Sequence, residues 1–481
     1  MNAKKNLVLT AVVALVIAGC QFPTDNHLAA PAGPVLSQDE SILAGNYEEY
    51  AGTKCIDHKD LAKAWRGALP LAGVTGGSPL VRTPLYDDLV EYSAVIPVGP
   101  GEFDRIGIHR VVRESSPWHP VSAPRGIMLL HGSPANFRNN FVPGLVDPAI
   151  APLQNGFAPF LAEAGIDVWG VDLRWSLVPA GQTDFSFMKS WNFETDIRDI
   201  RVVTVIARLC RGWTGSGAGP LFFSGHSLGA ALTYAYANAD SRRPRKLRDV
   251  RGLIPLEYSY KLVSEESQFL RDAAAQRYRS WKEQYDSGVY SLPLTDQLKP
   301  VIDLALTAPD DPSALIPGFT NLQTATAIYS CTYIIYAPLP AYTPFYHFVA
   351  GTFDPATGLP TGFQFADREP IFTFTRYFPP YQPLAEGMDL DGLASGIVDL
   401  PYDDHLSDVT APVFYVGAAG GFGDFGTETL SLLGSADKSS LIVRLLPAGN
   451  ELVDYGHIDI MYASNARTLV WDPVRAWILA H

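Results

Sequence analysis

Cysteine is scarce in this chain. Four occur in 481 residues, at Cys20, Cys55, Cys210 and Cys331. No Cys/His spacing forms a zinc-ligand pattern, so no metal site is expected. Positive charge is also in short supply: 36 Lys and Arg stand against 50 Asp and Glu, a formal charge of -14. That balance disfavours nucleic acid and anionic surfaces as partners, and it names no substrate. The leading apolar run, Leu7 to Ala18, is too short to span a bilayer comfortably. What the chain does have is apolar content. At 47% hydrophobic residues it can build a large core.

The first residues read as an export signal over 1–19. Lys4 and Lys5 precede the apolar run, and small residues close it at Ile17-Ala18-Gly19-Cys20. This ending resembles the bacterial lipobox, which implies lipid attachment at Cys20 and a membrane anchor there. Gln21 follows the cysteine. By resemblance to lipoproteins of Gram-negative bacteria, a residue other than Asp at this place implies the outer membrane. Residues 20–41 are rich in Pro, Ala and Ser and read as a tether. Past Cys20, an exported chain could pair two of Cys55, Cys210 and Cys331 and leave one free.

The most informative stretch is Pro220 to Ala231, P-L-F-F-S-G-H-S-L-G-A-A. An apolar run from Leu221 to Ser224 predicts a buried strand. Gly225-His226-Ser227-Leu228-Gly229 matches G-x-S-x-G, and small apolar residues then predict a packed helix. The two glycines remove side chains where strand and helix would collide. Ser227 then stands at the positive end of the helix as a nucleophile, and the Leu228 N–H is free to bind an oxyanion.

Around this unit the chain alternates. Leu89 to Pro97 and Arg105 to Arg113 read as a hairpin, and Ile127 to Leu130 as a buried strand that ends in His131-Gly132-Ser133-Pro134. The Ser133 N–H is the candidate second oxyanion donor, and His131 reads as structural. Helix at Phe157 to Ala164, strand at Ile166 to Leu173, helix at Glu194 to Cys210 and strand at Arg251 to Leu256 continue the alternation. It breaks at Tyr258 into about 150 irregular residues rich in Pro and aromatics. It resumes with a strand at Pro412 to Gly417, helix at Thr427 to Leu433, strand at Leu441 to Leu446 and a closing helix from Ile458 to Leu479. The pattern predicts an α/β fold, a mostly parallel sheet flanked by helices. Residues 42–257 and 411–481 form the core, and 258–410 insert as a cap.

From about Leu89 to His481 the chain resembles the α/β-hydrolase superfamily, in its serine esterase and lipase-like branch. The resemblance rests on Gly225 to Gly229, His131-Gly132, Asp167 to Arg174 and Gly456-His457-Ile458-Asp459. It places the cap between the sixth and seventh strands of that fold. It also implies His457, after the last strand, as the base that takes the Ser227 proton.

Two carboxylates compete to orient His457. Asp424 follows the seventh strand through a Gly-rich approach, Ala418 to Gly423, and is the expected acid. Glu257, at the end of the sixth strand, is the alternative, and also a candidate anchor of the cap's hinge. Asp459 reads as a helix N-cap beside the base. The expected activity is hydrolysis of a small-molecule or lipid-like carboxylic ester with an apolar or aromatic part, through an acyl-enzyme, without a cofactor. The same machinery could cut peptide or amide bonds, and a binding protein on an inactive hydrolase fold is a third reading.

Overall fold

The computed structural model describes residues 60–292, 295, 298–335 and 342–481. The signal run, Cys20, the tether and Cys55 lie outside them. Among the described residues no helix is long and apolar enough to cross a membrane.

Fourteen strands are described: β1 Val81–Tyr86, β2 Leu89–Pro97, β3 Arg105–Ser116, β4 His119–Pro120, β5 Arg125–Leu130, β6 Ile166–Asp172, β7 Leu221–His226, β8 Val250–Leu256, β9 Ser291–Leu292, β10 Gly351–Phe353, β11 Pro360–Phe363, β12 Gln382–Pro383, β13 Val413–Ala418 and β14 Lys438–Val443. Ten of them form one sheet, in the order β1-β2-β3-β6-β5-β7-β8-β13-β14, with β4 paired to β3. The hairpin side is antiparallel, and from β6 to β14 every pairing is parallel.

Side-chain alternation on the strands explains the layers. Ile127 and Leu129 of β5 join one apolar cluster with the helix Phe157–Glu163 and the C-terminal helix Asp472–Ala480. Met128 and Leu130 point the other way, into a cluster with the helices Phe193–Trp213 and Leu228–Ser241. A period of two therefore feeds both faces. With both faces covered, β6 and β7 are buried at every position.

The sequence pattern misses β1, which continues the hairpin outward by pairing antiparallel with β2. β14 ends at Val443 because the Asp454 carboxylate takes the N–H groups of Leu445 and Leu446, which therefore leave the ladder. The expected closing helix is broken into Asp459–Tyr462, a wider π turn at Arg467–Trp471 and Asp472–Ala480. Ser464 donates its N–H to Phe365 of the inserted segment instead of continuing the first piece. Cys210 and Cys331 are free thiols, so neither takes part in the expected pairing.

Between β8 and β13 the chain leaves the sheet. This insertion carries the helices Gln268–Asp286 and Leu384–Ser395, which pack together, and a second group of helices around Ile302, Tyr329 and Phe372. The short pair β9–β12 lies within it.

Candidate active site

The corner after β7 has the geometry that G-x-S-x-G requires. Ser227 sits at φ 57°, ψ −120°, between strand β7 and the helix that opens at Leu228. A non-glycine residue there costs roughly 1–3 kcal/mol and persists only where the surroundings impose it. The surroundings are tight on both sides. A Cβ on Gly225 would come within 2.2 Å of the Gly229 carbonyl, and one on Gly229 within 2.0 Å of the Leu130 carbonyl oxygen. The Ser227 N–H donates to the Leu256 carbonyl at 3.0 Å, which ties the corner to the end of β8.

The loop after β5 comes alongside. A Cβ on Gly132 would lie 3.1 Å from the Ser227 Cβ. His131 is a framework residue here: its Nε2 accepts the Leu173 N–H at 3.1 Å. Asn140 takes the Gly132 N–H at 2.8 Å and its own amide faces His226 Nδ1 at 3.4 Å. Among the described residues the N–H groups of Ser133 and Leu228 donate to no other protein group. Asn140 escaped the sequence reading: it ends the polar run Arg138-Asn139-Asn140, eight places after Gly132, and nothing local singles out one amide of that run.

His457 is buried, and its ring stacks on that of His226, with centroids 4.8 Å apart. His226 Nε2–H donates to the His457 carbonyl at 3.2 Å. The insertion supplies the rest of the setting. The His457 and Ile458 N–H groups donate to the carbonyls of His347 and Phe348, and the rings of Tyr346 and Phe348, joined by Phe422 from the loop after β13, close around the imidazole. Burial pushes the imidazole down to about 3, so the ring is neutral.

The structure does not bring Asp424 to His457. The Asp424 side chain is 68% exposed and pairs with Arg444 at 2.6 Å. The carboxylate facing the imidazole is that of Glu257, whose Oε1 lies 3.4 Å from His457 Nδ1. The Gly-rich stretch after β13 explains the exchange. Instead of carrying Asp424 inward, it wraps around Glu257. The Ala418 N–H donates to Oε2 at 2.6 Å, and the Phe422 N–H donates to Oε1. A Cβ on Gly421 would sit 1.8 Å from Oε1, so a side chain there is incompatible with the cradle. Glu257 itself adopts φ 59° at the end of β8, with its N–H bonded to the Val416 carbonyl at 2.7 Å. Burial raises its carboxyl to about 8, against the opposing pull of the Phe422, Ala418 and Gly423 N–H groups.

Asp459 also differs from expectation. Ile458 precedes the short helix as its cap, while the Asp459 carboxylate accepts the N–H groups of Gly456 at 2.8 Å and Ala350 at 2.9 Å. It fastens the histidine loop to the insertion. No group of three or more His, Cys, Asp or Glu side chains among the described residues is arranged to hold a metal ion.

A mostly parallel sheet with helices on both faces, a serine on the strand–helix corner and an insertion before β13 define the α/β-hydrolase fold. Protein-family models and curated protein sequences give no match to this chain. Among solved structures it is similar to a proposed lipase from Sulfolobus solfataricus, at 17% identity and a TM-score of 0.55, over 84% of this chain and 99% of that one. It is also similar to a thermophilic esterase from Thermogutta terrifontis, at 12% identity and a TM-score of 0.37, over 84% and 99%. A proline iminopeptidase of Mycobacterium smegmatis matches at 14% and 0.37, over 84% and 98%. The likeness to the first of these is one of fold.

Proposed function

We propose that the protein is a serine hydrolase that cleaves carboxylic esters with an apolar or aromatic part, through an acyl-enzyme. The observations that carry the proposal are Ser227 on its strained corner, the ring of adjacent His226 stacked on the buried imidazole of His457, and a carboxyl 3.4 Å from Nδ1 of that imidazole. In this reading Glu257 takes the place expected of Asp424. Its carboxylate holds the Nδ1–H tautomer, which leaves Nε2 free as a base. His457 takes the Ser227 proton as Oγ attacks the ester carbonyl. The N–H groups of Leu228 and Ser133 bind the oxygen on which negative charge develops, and no cofactor is needed. Collapse of that intermediate expels the alcohol, which leaves with the proton from His457, and Ser227 stays acylated. Water activated by His457 then releases the acid. The aromatic rings of Tyr346, Phe348 and Phe422 beside the imidazole support an apolar substrate.

A fluorophosphonate probe tests the chemistry. Labelling of the wild type and none of Ser227→Ala supports catalysis; a wild type that stays unlabelled overturns it. Turnover of nitrophenyl esters against aminoacyl and peptidyl anilides then tests the leaving group. Preference for the anilides would replace the ester assignment with an amidase.

A further inference from the structure

The peptide between Gly132 and Ser133 carries one of the two proposed oxyanion donors, and the two residues it joins are each gripped from a different direction. On the core side, the Gly132 N–H is held by Asn140. On the other side, Ser133 Oγ–H donates to Oε1 of Gln382 at 2.5 Å. Gln382 belongs to the insertion, 249 residues further along the chain. Its own position is well defined. It is buried, it pairs in β12 with Leu292 of β9, and the Tyr381 ring beside it packs edge-on against Phe185 at 4.7 Å. The Tyr381 hydroxyl accepts the Gly181 N–H at 3.0 Å, which fastens this corner of the insertion to a core loop.

The direction of the Gln382 amide is set in turn. Its Nε2 donates to Oε2 of Glu386 at 3.1 Å, so Oε1 must face Ser133. Glu386 is fully buried, and its other oxygen has no hydrogen-bond partner among the described residues; nor has Oδ2 of buried Asp196, on the core helix Phe193–Trp213. Burial first, and then the proximity of Asp196, raise the Glu386 carboxyl. For Asp196 the order is burial, then Asp199 and Asp389, with Arg174 opposing. A carboxyl oxygen accepts the amide N–H in either protonation state, so the direction of the Gln382 amide does not depend on it.

We infer that Gln382 is a positioning residue for the hydrolysis proposed above. From the insertion it holds Ser133 by the side-chain hydroxyl, so that the Ser133 N–H is aimed at the developing oxyanion. The inference rests on the serine-hydrolase reading. It adds that the oxyanion site is completed by the insertion, and that Ser133 contributes through its hydroxyl as well as its main chain. A donor fixed before reaction stabilises the transition state more than the bound substrate, so loss of the grip acts on kcat.

The test is a double-mutant cycle on nitrophenyl butyrate hydrolysis with Ser133→Ala, Gln382→Met and both together. Loss of alignment, short of loss of the whole donor, predicts a drop in kcat of about tenfold for each single variant, with KM within about twofold. The double variant falls no further than either single, because both remove one contact. Ser133→Thr restores a hydroxyl and recovers most of kcat. Losses that multiply, or that appear only in KM, overturn the inference. Should Gln382→Met fail to fold, Ser133→Ala decides alone: a kcat close to wild type overturns it. Fluorophosphonate labelling separates the levels. A labelled wild type with losses that multiply sinks the positioning role and leaves the hydrolase reading standing, whereas an unlabelled wild type sinks both.

Discussion

Nδ1 of His457 lies 3.4 Å from Oε1 of Glu257, across 200 residues of chain, and both side chains are buried. A carboxylate in that position orients the imidazole and stabilises the charge it gains when it takes the serine proton. Asp424, at the surface with Arg444, has no such access.

Exchange of the two carboxylates therefore gives opposite results. Glu257→Gln keeps the size of the side chain and removes its charge, so kcat falls by orders of magnitude, up to roughly 10⁴-fold. Asp424→Asn loses one exposed ion pair and stays within about twofold of wild type, since such pairs contribute about 0–1 kcal/mol. Steady-state kinetics on purified variants with matching circular dichroism spectra check the pair. A severe defect in Asp424→Asn alone would return the acid to the strand β13 loop.

The pH profile follows from the same pair. Burial raises the Glu257 carboxyl to about 8 and lowers the His457 imidazole to about 3. The competent state needs ionised Glu257 beside neutral His457. Activity is lost as the carboxyl binds its proton, so kcat/KM rises with pH through the region of 8 and levels off above it. A rise centred at or below the ordinary histidine value, about 6.5, would contradict the assignment.

The backbone at Ser227 makes a prediction about stability. Ser227→Ala and Ser227→Gly both remove the proposed nucleophile, but only glycine relieves the positive φ. Relief of roughly 1–3 kcal/mol of strain exceeds the roughly 0.5–1 kcal/mol by which glycine's greater unfolded-state freedom disfavours folding. Ser227→Gly should therefore be more stable than Ser227→Ala by about 1 kcal/mol, read from denaturant midpoints. Equal midpoints would mean that the corner stores no strain.

Placement at a membrane is proposed from the Ile17 to Cys20 sequence alone. Cys20→Ser should abolish labelling by a fatty-acid analogue and shift the protein from the detergent phase to the aqueous phase. Persistent labelling of that variant would refute the lipobox assignment.

The sequence by itself determined the strand–helix corner at Ser227 and the strands that support it. Both are local: Gly225 and Gly229 are needed because a strand and a helix meet within five residues, and the runs in β5 to β8 are apolar because both sheet faces are covered. The choice between Glu257 and Asp424 was not local. Each follows a sheet strand, and a glycine-rich loop reads equally well as a carrier of its own acid or as a cradle for another. The tertiary structure places Glu257 and not Asp424 beside His457, with the N–H groups of Ala418 and Phe422 turned toward it. The grip of Gln382 on Ser133 lay further from view. It joins a core loop to a strand of the insertion across 249 residues, and no spacing or periodicity records which distant side chains a folded insertion brings down onto a loop.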